Sequence, residues 1–413
     1  MPADLAVIGL GHLGLPLAHA AVAAGIETIG YDTDPRPVAE LAAGRPPVDG
    51  SLNAAGIRRM LAGGFRATTD PGTLGRVRTA VICVPAPLGT DRRPDLTALD
   101  EAARALATRL RPRTTVVLES AVPPGTTEGR LRTILETGSG LRAGHDFALA
   151  HSPSRLDPGD RSPGCAAVPK VIGGLTPACT EAVVAFYGRL TDKVVRARGP
   201  REAETVKVLE TNFRHVNTAL VNEMSVLCHD LGVDLWDVIR CAETKPFGFP
   251  AFRPGPGVGG HGMPLDAIGA HQPLRLVELA GRINESMPGY VIQRCAALLN
   301  DHGKSVRGAR VLLLGVTGTA DLAGLDGSPA PEIAGRLREL GASVSFHDPY
   351  VSDWRVQDRP VPRADFLYEA AADADLTILL QHHRTYDLQG LSVKAQLLLD
   401  TRGVSPAGAA HRL

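Results

Sequence analysis

A short apolar run from Leu5 to Gly9 passes through Gly9-Leu10-Gly11-His12-Leu13-Gly14 into a small-residue apolar segment, Leu15 to Ala24. Glycine-rich turns are common, and Gly-x-Gly-x-x-Gly alone says little. Here the turn joins an expected buried strand to an expected helix. A second expected strand, Glu27 to Tyr31, then ends at Asp32, 18 residues beyond Gly14. That context specifies a dinucleotide-binding βαβ unit. Gly9 permits the tight turn, Gly11 lets a pyrophosphate approach the backbone, and Gly14 lets helix and strand pack closely. His12 and Leu13 complete the turn. The helix start offers N–H groups and a positive dipole end to phosphate. Asp32 is expected to accept hydrogen bonds from the adenosine ribose and to repel a 2′-phosphate. NAD is therefore favoured over NADP, with Arg36 the nearby residue that argues the other way.

Strand and helix patterns continue to alternate through Thr79 to Val84, Thr115 to Leu118 and Phe147 to Ala150. Such alternation predicts a doubly wound parallel sheet. From about Glu202 the pattern becomes helical. Val206, Leu209, Phe213, Val216, Leu220 and Met224 recur near helical spacing up to Leu231, and Gly232 follows. A further helical piece, Asp234 to Ala242, precedes a Pro/Gly-rich loop from Lys245 to Pro264, and a long helix spans roughly Leu274 to Leu299. Strand and helix then alternate again through Ala309 to Gly315, Pro331 to Leu340, Ser343 to His347, Leu376 to Leu380 and Gln396 to Asp400. The expected fold class is α/β, with two Rossmann-like doubly wound parallel-sheet domains joined by a central helical domain. The division is 1–200, 201–300 and 301–413.

At 413 residues the chain is too long for one ordinary core. Its 44 Lys and Arg balance 44 Asp and Glu, so no net field favours nucleic acid or an anionic membrane. Cys83, Cys165, Cys179, Cys228, Cys241 and Cys295 are scattered, without a Cys-x-x-Cys pair or zinc-ligand spacing. They read as reduced, mostly buried thiols, and no metal is expected. Met1 leads into a strand without a basic-then-apolar leader, and no apolar stretch reaches the roughly 20 residues of a membrane span. A cytoplasmic protein is expected.

Several segments together resemble the nucleotide-sugar 6-dehydrogenase family, which acts on UDP- and GDP-linked sugars. They are Val81-Ile82-Cys83-Val84-Pro85, Glu119-Ser120-Ala121-Val122-Pro123-Pro124-Gly125-Thr126-Thr127, Pro169-Lys170-Val171-Ile172-Gly173-Gly174, Pro254 through His261, Arg282-Ile283-Asn284-Glu285-Ser286-Met287-Pro288 and Asp400-Thr401-Arg402-Gly403. The resemblance runs from about Leu5 to Gly403, and the Lys245-to-His261 stretch is most like the UDP-N-acetylhexosamine branch. It assigns Val84, Pro85 and Ser120 to the cofactor. Arg155, Thr211, Gly259 and Gly262 fall to a nucleotide-sugar substrate, and Lys207 and Asp266 to catalysis. The long central helix resembles the family's dimerisation element, which implies a homodimer.

The family oxidises a CH2OH group to a carboxylate in two hydride transfers through a cysteine thioester. Its cysteine follows Gly-Gly-His, and this chain has Gly262 there. Other family groups have changed too. Ala121 stands for a threonine that helps place water, Ser154 for an acid/base glutamate, and Thr211 for an asparagine. Gly318-Thr319 and Asp326 replace a lysine and an arginine of the last domain. Lys207 can stabilise an alkoxide, or it is a solvated helix lysine. Asp266 can accept a proton, or it caps a helix. His261 is a loop hydrogen-bonder or a base. Arg214 and Arg253 meet substrate phosphate or lie exposed, and Arg402 is the better substrate candidate. The expected reaction is one hydride transfer at a CH–OH group, an oxidation or an epimerisation. The alternatives are an inactive NAD-binding protein and a four-electron dehydrogenase with a displaced thiol at Cys241 or Cys228.

Overall fold

The structure, a computed structural model, describes residues 3–47, 52–87, 89, 94–155, 168–258, 274–406 and 408–413. The chain forms two compact units, one running to Glu210 and the other beginning at Thr211.

The first unit is built on β1 (Leu5–Ile8), β2 (Thr28–Tyr31), β3 (Arg66–Thr68), β4 (Thr79–Ile82), β5 (Thr115–Leu118), β6 (Ala148–His151), β7 (Lys170–Gly174) and β8 (Val194–Arg196), in the order β3-β2-β1-β4-β5-β6-β7-β8. Its helices are α1 (Gly14–Ala23), α2 (Pro35–Ala42), α3 (Ala54–Ala62), α4 (Thr97–Ala107), α5 (Arg132–Ser139) and α6 (Pro177–Tyr187). Strands buried on both faces explain the continuous apolar runs. Ile8, Ile82 and Leu118 pack against Leu99, Leu106 and Leu135 on one side. Val7, Val81 and Val117 meet Leu15, Ala18, Val183 and Tyr187 on the other. The strand order reverses between β2-β1 and β4, which is where a doubly wound sheet opens a ligand crevice.

One pairing departs from the parallel expectation: β7 runs antiparallel to β6, with Ala150 opposite Gly174. Alternation forces parallel pairing only where a helix carries the chain back across the sheet. The sequence between Ser152 and Pro169 is rich in Pro and Gly and has no such helical pattern.

Helix α7 (Pro200–Asp230) contains the boundary between the units. In the second unit it is followed by α8 (Leu235–Ala242), α9 (Arg275–Asp301), β9 (Arg310–Leu314), α10 (Ala330–Glu339) and β10 (Ser343–His347). Next come the hairpin strands β11 (Arg355–Val356) and β12 (Arg359–Pro360), α11 (Leu367–Asp373), β13 (Leu376–Leu379), α12 (Leu388–Lys394), β14 (Leu398–Asp400) and β15 (His411–Arg412). Five of these strands form a parallel sheet ordered β10-β9-β13-β14-β15. Met287, Val291 and Cys295 of α9 share its core with Val311, Leu313, Ile333 and Phe346. Cys83, Cys179, Cys228 and Cys295 are buried free thiols and Cys241 is exposed, while Cys165 lies outside the described residues. Among the described residues no helix is long and apolar enough to cross a membrane, and no cluster of His, Cys, Asp and Glu is arranged for a metal.

Candidate functional site

In the first unit the turn after β1 has the geometry that its glycines predict. Gly9 sits at φ +96°, a conformation that favours glycine, and a Cβ there would come within 3.0 Å of the Cys83 and Val84 backbone. A Cβ on Gly14 would lie 1.9 Å from the Gly9 carbonyl oxygen, so only glycine lets α1 pack this closely. Gly11 differs, because a Cβ there meets nothing within 4 Å. Its missing side chain leaves space at the mouth of the turn, where a phosphate is to approach. No side chain caps α1 at Leu13, and no acidic residue occupies its first turn. Negative charge is therefore absent from the first turn itself, which suits an anionic ligand at the helix dipole. These residues fit a dinucleotide pyrophosphate.

Asp32 follows β2 and locks the turn. Its Oδ2 accepts the Leu10 N–H at 2.8 Å and its Oδ1 the Asp34 N–H at 3.0 Å. Each carboxylate oxygen retains lone-pair capacity for a ribose hydroxyl. Arg36 is exposed, and its guanidinium binds Asp34 at 2.7 Å. Val84 and Pro85 follow β4, and Ser120, fully buried, donates its hydroxyl to the Val84 carbonyl at 2.7 Å. His12 and Leu13 are partly buried.

Beside Leu13 lies a polar cluster that sequence reasoning missed. The Lys170 ammonium donates to Glu119 Oε1 at 2.6 Å and stands 4.6 Å above the Tyr187 ring. The Tyr187 hydroxyl donates to the same carboxylate oxygen. Burial first, and then the Glu119 charge, push the Tyr187 phenol far up, so it stays protonated. These groups, with Leu13, Ser154 and Arg155, line a cavity of about 20 Å³, room for about one water. Ser154 is buried, and Arg155 donates to Glu210 at 2.5 Å and to the Pro169 carbonyl at 3.1 Å. The sequence marks Glu119 and Lys170 only by their places in the Glu119-to-Thr127 and Pro169-to-Gly174 segments. Glu204 of α7 is a second omission. It accepts N–H bonds from Gly125 at 2.5 Å and Thr127 at 2.8 Å, and so fixes the Pro-Pro-Gly-Thr-Thr turn. Lys207 is partly buried on the same helix.

The second unit repeats the locking device. Gly315, at φ +71°, follows β9. Asp348, after β10, accepts Val316 N–H at 2.7 Å and Tyr350 N–H at 2.8 Å, as Asp32 accepts Leu10 and Asp34. Its fate differs. Asp348 is fully buried and takes His383 Nε2 at 3.1 Å. Burial alone would raise its carboxyl, but the His383 contact and the two backbone N–H bonds outweigh that and leave it below the usual range. His383 accepts the Asp321 N–H at Nδ1, which leaves Nε2 to donate. The carboxylate that would meet a ribose is thus sealed by an imidazole.

Also in this unit, Asn222 Nδ2 donates to Asn284 at 2.9 Å, and its Oδ1 accepts the Gly255 N–H at 2.9 Å. These buried amides tie the glycine-rich loop to α7 and α9. A Cβ on Gly255 would lie 3.2 Å from Arg402 Nη1. Arg402 donates through Nε to the Leu380 carbonyl at 2.7 Å, and among the described residues its buried Nη2 has no partner. Burial pushes its guanidinium down to about 10, so it is still a cation at neutral pH. Arg253 pairs with Glu243 at 3.3 Å, Arg214 is exposed on α7, and Thr211 is partly buried beside the buried Asn212. Gly259, His261, Gly262 and Asp266 lie outside the described residues.

Comparison with known proteins covers nearly the whole chain. The NAD binding domain of the UDP-glucose/GDP-mannose dehydrogenase family matches residues 3–191, its central domain 201–286 and its UDP binding domain 312–406. The UDP-N-acetyl-D-glucosamine 6-dehydrogenase of Pseudomonas aeruginosa is 34% identical over 84% of this chain and 83% of its own. The UDP-N-acetyl-D-mannosamine dehydrogenase of Escherichia coli K12 is 31% identical over 97% of this chain and 99% of its own. The solved UDP-D-ManNAc dehydrogenase of Pyrococcus horikoshii superposes with a TM-score of 0.86 at 28% identity, covering 99% of this chain and 98% of that one. A glycine turn shaped for a pyrophosphate, an acid placed for a ribose and matches along nearly the full length lead to one conclusion: the chain belongs to the UDP-glucose/GDP-mannose dehydrogenase family, as an NAD-dependent dehydrogenase-type oxidoreductase.

Proposed function

We propose that this protein oxidises or epimerises a CH–OH group of a nucleotide sugar by a single hydride transfer. The observation that carries this reading is Gly262, which stands where the family has its thioester-forming cysteine. Glycine has no nucleophile, so an aldehyde formed there has no covalent route to an acid. Two features support it. Ser154, in place of the family's acid/base glutamate, is buried, and the nearby Glu119 carboxylate is committed to Lys170 and Tyr187.

NAD, when bound, accepts a hydride from the carbinol carbon. Asp32 is to hold the ribose and the Gly11 turn the pyrophosphate. Lys207 is proposed to stabilise the developing alkoxide and Asp266 to take its proton, directly or through water. Arg402, whose buried Nη2 has no partner among the described residues and whose Nη1 lies beside Gly255, is the residue we assign to a substrate anion; Arg155 and Arg253 are already held by carboxylates. The three-part division 1–200, 201–300 and 301–413 is kept as a proposal, supported by the limits of the three family matches. A homodimer through α7 is likewise proposed. Phe213, Leu220 and Leu227 recur at a heptad interval on one face of that helix, and remain 51%, 55% and 50% exposed.

The test is product stoichiometry. Native mass spectrometry identifies the co-purifying nucleotide sugar, and turnover of that compound is followed by NADH absorbance and product mass. One NADH per aldehyde or ketone, or an epimer with no net NADH, is expected. Two NADH per carboxylate overturns the reading. Absence of any turnover selects the second reading, an NAD-binding protein without catalysis, which the combined loss of the cysteine, threonine and glutamate favours.

A further inference from the structure

The first sheet has a basic cleft at the amino ends of its central strands β4 and β5, the end opposite the cofactor turn. Arg76 and Arg78, just before β4, and Arg111 and Arg113, just before β5, line one open cleft of about 520 Å³. All four are exposed. Arg78 lies 3.6 Å from Asp4, a carboxylate it shares with Arg189. Among the described residues no ion pair is found for Arg76, Arg111 or Arg113. The protein's 44 basic and 44 acidic residues cancel, so this concentration is local and is not a by-product of a basic chain.

The backbone at Arg113 makes a second, independent point. Thr114 N–H donates to the Arg111 carbonyl at 3.2 Å across Pro112 and Arg113, and Arg113 has φ +69°. With proline in the second position this is a type II turn, whose third position calls for glycine or asparagine. The Arg113 N–H is pinned to the Asp146 carbonyl at 2.6 Å, so the strained conformation is fixed from outside the turn. A relaxed residue would serve the turn alone. This chain instead places a long cation there, beside three others that repel it.

We propose that this cleft binds a small soluble polyphosphate, the chain of either a nucleoside triphosphate or inorganic tripolyphosphate. Guanidinium forks suit phosphate oxygens in bidentate pairs. The cleft falls within the roughly 300–1,000 Å³ of small-molecule sites. Strand β4 spans about 13 Å between its amino end and the crevice at its carboxyl end, so the anion and the cofactor do not compete.

The test titrates inorganic tripolyphosphate and adenosine triphosphate, separately, into full-length protein saturated with NAD and UDP, by calorimetry. Saturable binding of tripolyphosphate is expected, weakened about tenfold by either Arg111→Gln or Arg113→Asn. Equal affinity for the two probes shows recognition of the phosphate chain alone; tighter binding of the nucleotide shows that the cleft also holds the nucleoside. Arg113→Asn relieves the turn, so without anion its melting temperature is expected to equal or exceed that of the unsubstituted protein. The anion-induced rise in melting temperature shrinks in the same variant. A merely structural Arg113 would show neither effect. No saturable binding to the NAD- and UDP-saturated protein, or affinity unchanged in both variants, overturns the proposal.

Discussion

The guanidinium of Arg36 is held by the carboxylate of Asp34, with Nη2 donating to Oδ2 at 2.7 Å and Nε to Oδ1 at 3.1 Å. Asp34 also caps α2 by accepting the Arg36 N–H at 2.9 Å. The one cation that argued for a 2′-phosphate is therefore already neutralised, and the Arg36 hydrogen bonds hold the Asp34 carboxyl below its usual range. If Asp32 takes the ribose as proposed, cofactor choice in this turn rests on two aspartates, Asp32 on the ribose and Asp34 restraining Arg36.

Asp34→Asn separates these roles, since asparagine is as good a helix cap but no longer an anion. The NADP-to-NAD affinity ratio is expected to rise by about tenfold, as one charge-assisted contact becomes available to the 2′-phosphate. Dissociation constants for both dinucleotides check it. An unchanged ratio would mean that Arg36 cannot reach the ribose.

Gly11 and Gly14 make a contrasting pair. A methyl group at Gly11 meets open space, so Gly11→Ala should fold with an unchanged melting temperature while losing about a hundredfold or more in NAD affinity. Gly14→Ala forces a carbon to 1.9 Å from a backbone oxygen, and the turn must shift. It is expected to lose about 3 kcal/mol of stability with or without cofactor. Thermal unfolding and cofactor titration of the two variants distinguish a ligand-facing glycine from a packing one.

What could be read in advance follows from the range of the interactions. The turn, Asp32 and the strand-helix alternation are local patterns in which spacing and conformation are tied by the backbone. The Glu119–Lys170–Tyr187 cluster joins residues 51 and 68 positions apart, and nothing local marks them as neighbours. The Asp348–His383 contact is hidden for the same reason. The ends of β9 and β10 signalled a second Rossmann-like half, but not that an imidazole 35 residues further on would seal its acid. The reversal of β7 escaped because a parallel expectation assumes a crossover helix that Ser152 to Pro169 does not encode.

His151 makes the first unit sensitive to acid. Burial first, and then the Lys170 charge, push its imidazole down to about 3 from an ordinary 6.5, and its Nδ1 has no partner among the described residues. Between those values the unfolded chain binds a proton that the native state refuses. Stability from this group is therefore complete above about pH 6.5 and falls as pH drops, by about 1.4 kcal/mol per pH unit. Hydrogen exchange of the β5 and β6 amides between about pH 6.5 and 4.5 measures it. His151→Leu, whatever it costs near neutral pH, should flatten that slope; an equally steep slope in the variant would assign the acid sensitivity elsewhere.

A cysteine introduced at residue 262 tests the proposed single hydride transfer directly. If catalysis stops at one hydride because residue 262 lacks a thiol, Gly262→Cys supplies the nucleophile that an aldehyde needs. Its thiolate adds to the aldehyde carbon, and a second NAD then removes the hydride from that carbon, leaving a thioester on the introduced sulfur in the variant only. Hydrolysis needs placed water, and Ala121 and Ser154 lack the hydroxyl and carboxylate that the family brings to it. The thioester should therefore accumulate instead of turning over. Intact-protein mass spectrometry after mixing with substrate and NAD is expected to show the mass of the enzyme plus the nucleotide sugar, less the hydrogens lost in the two oxidations, in Gly262→Cys and only free enzyme in the unsubstituted protein. NADH formed per active site should rise from one to two within the first turnover. An adduct on the unsubstituted protein would place the nucleophile on another thiol, with Cys241, exposed in the structure, the first to replace by alanine.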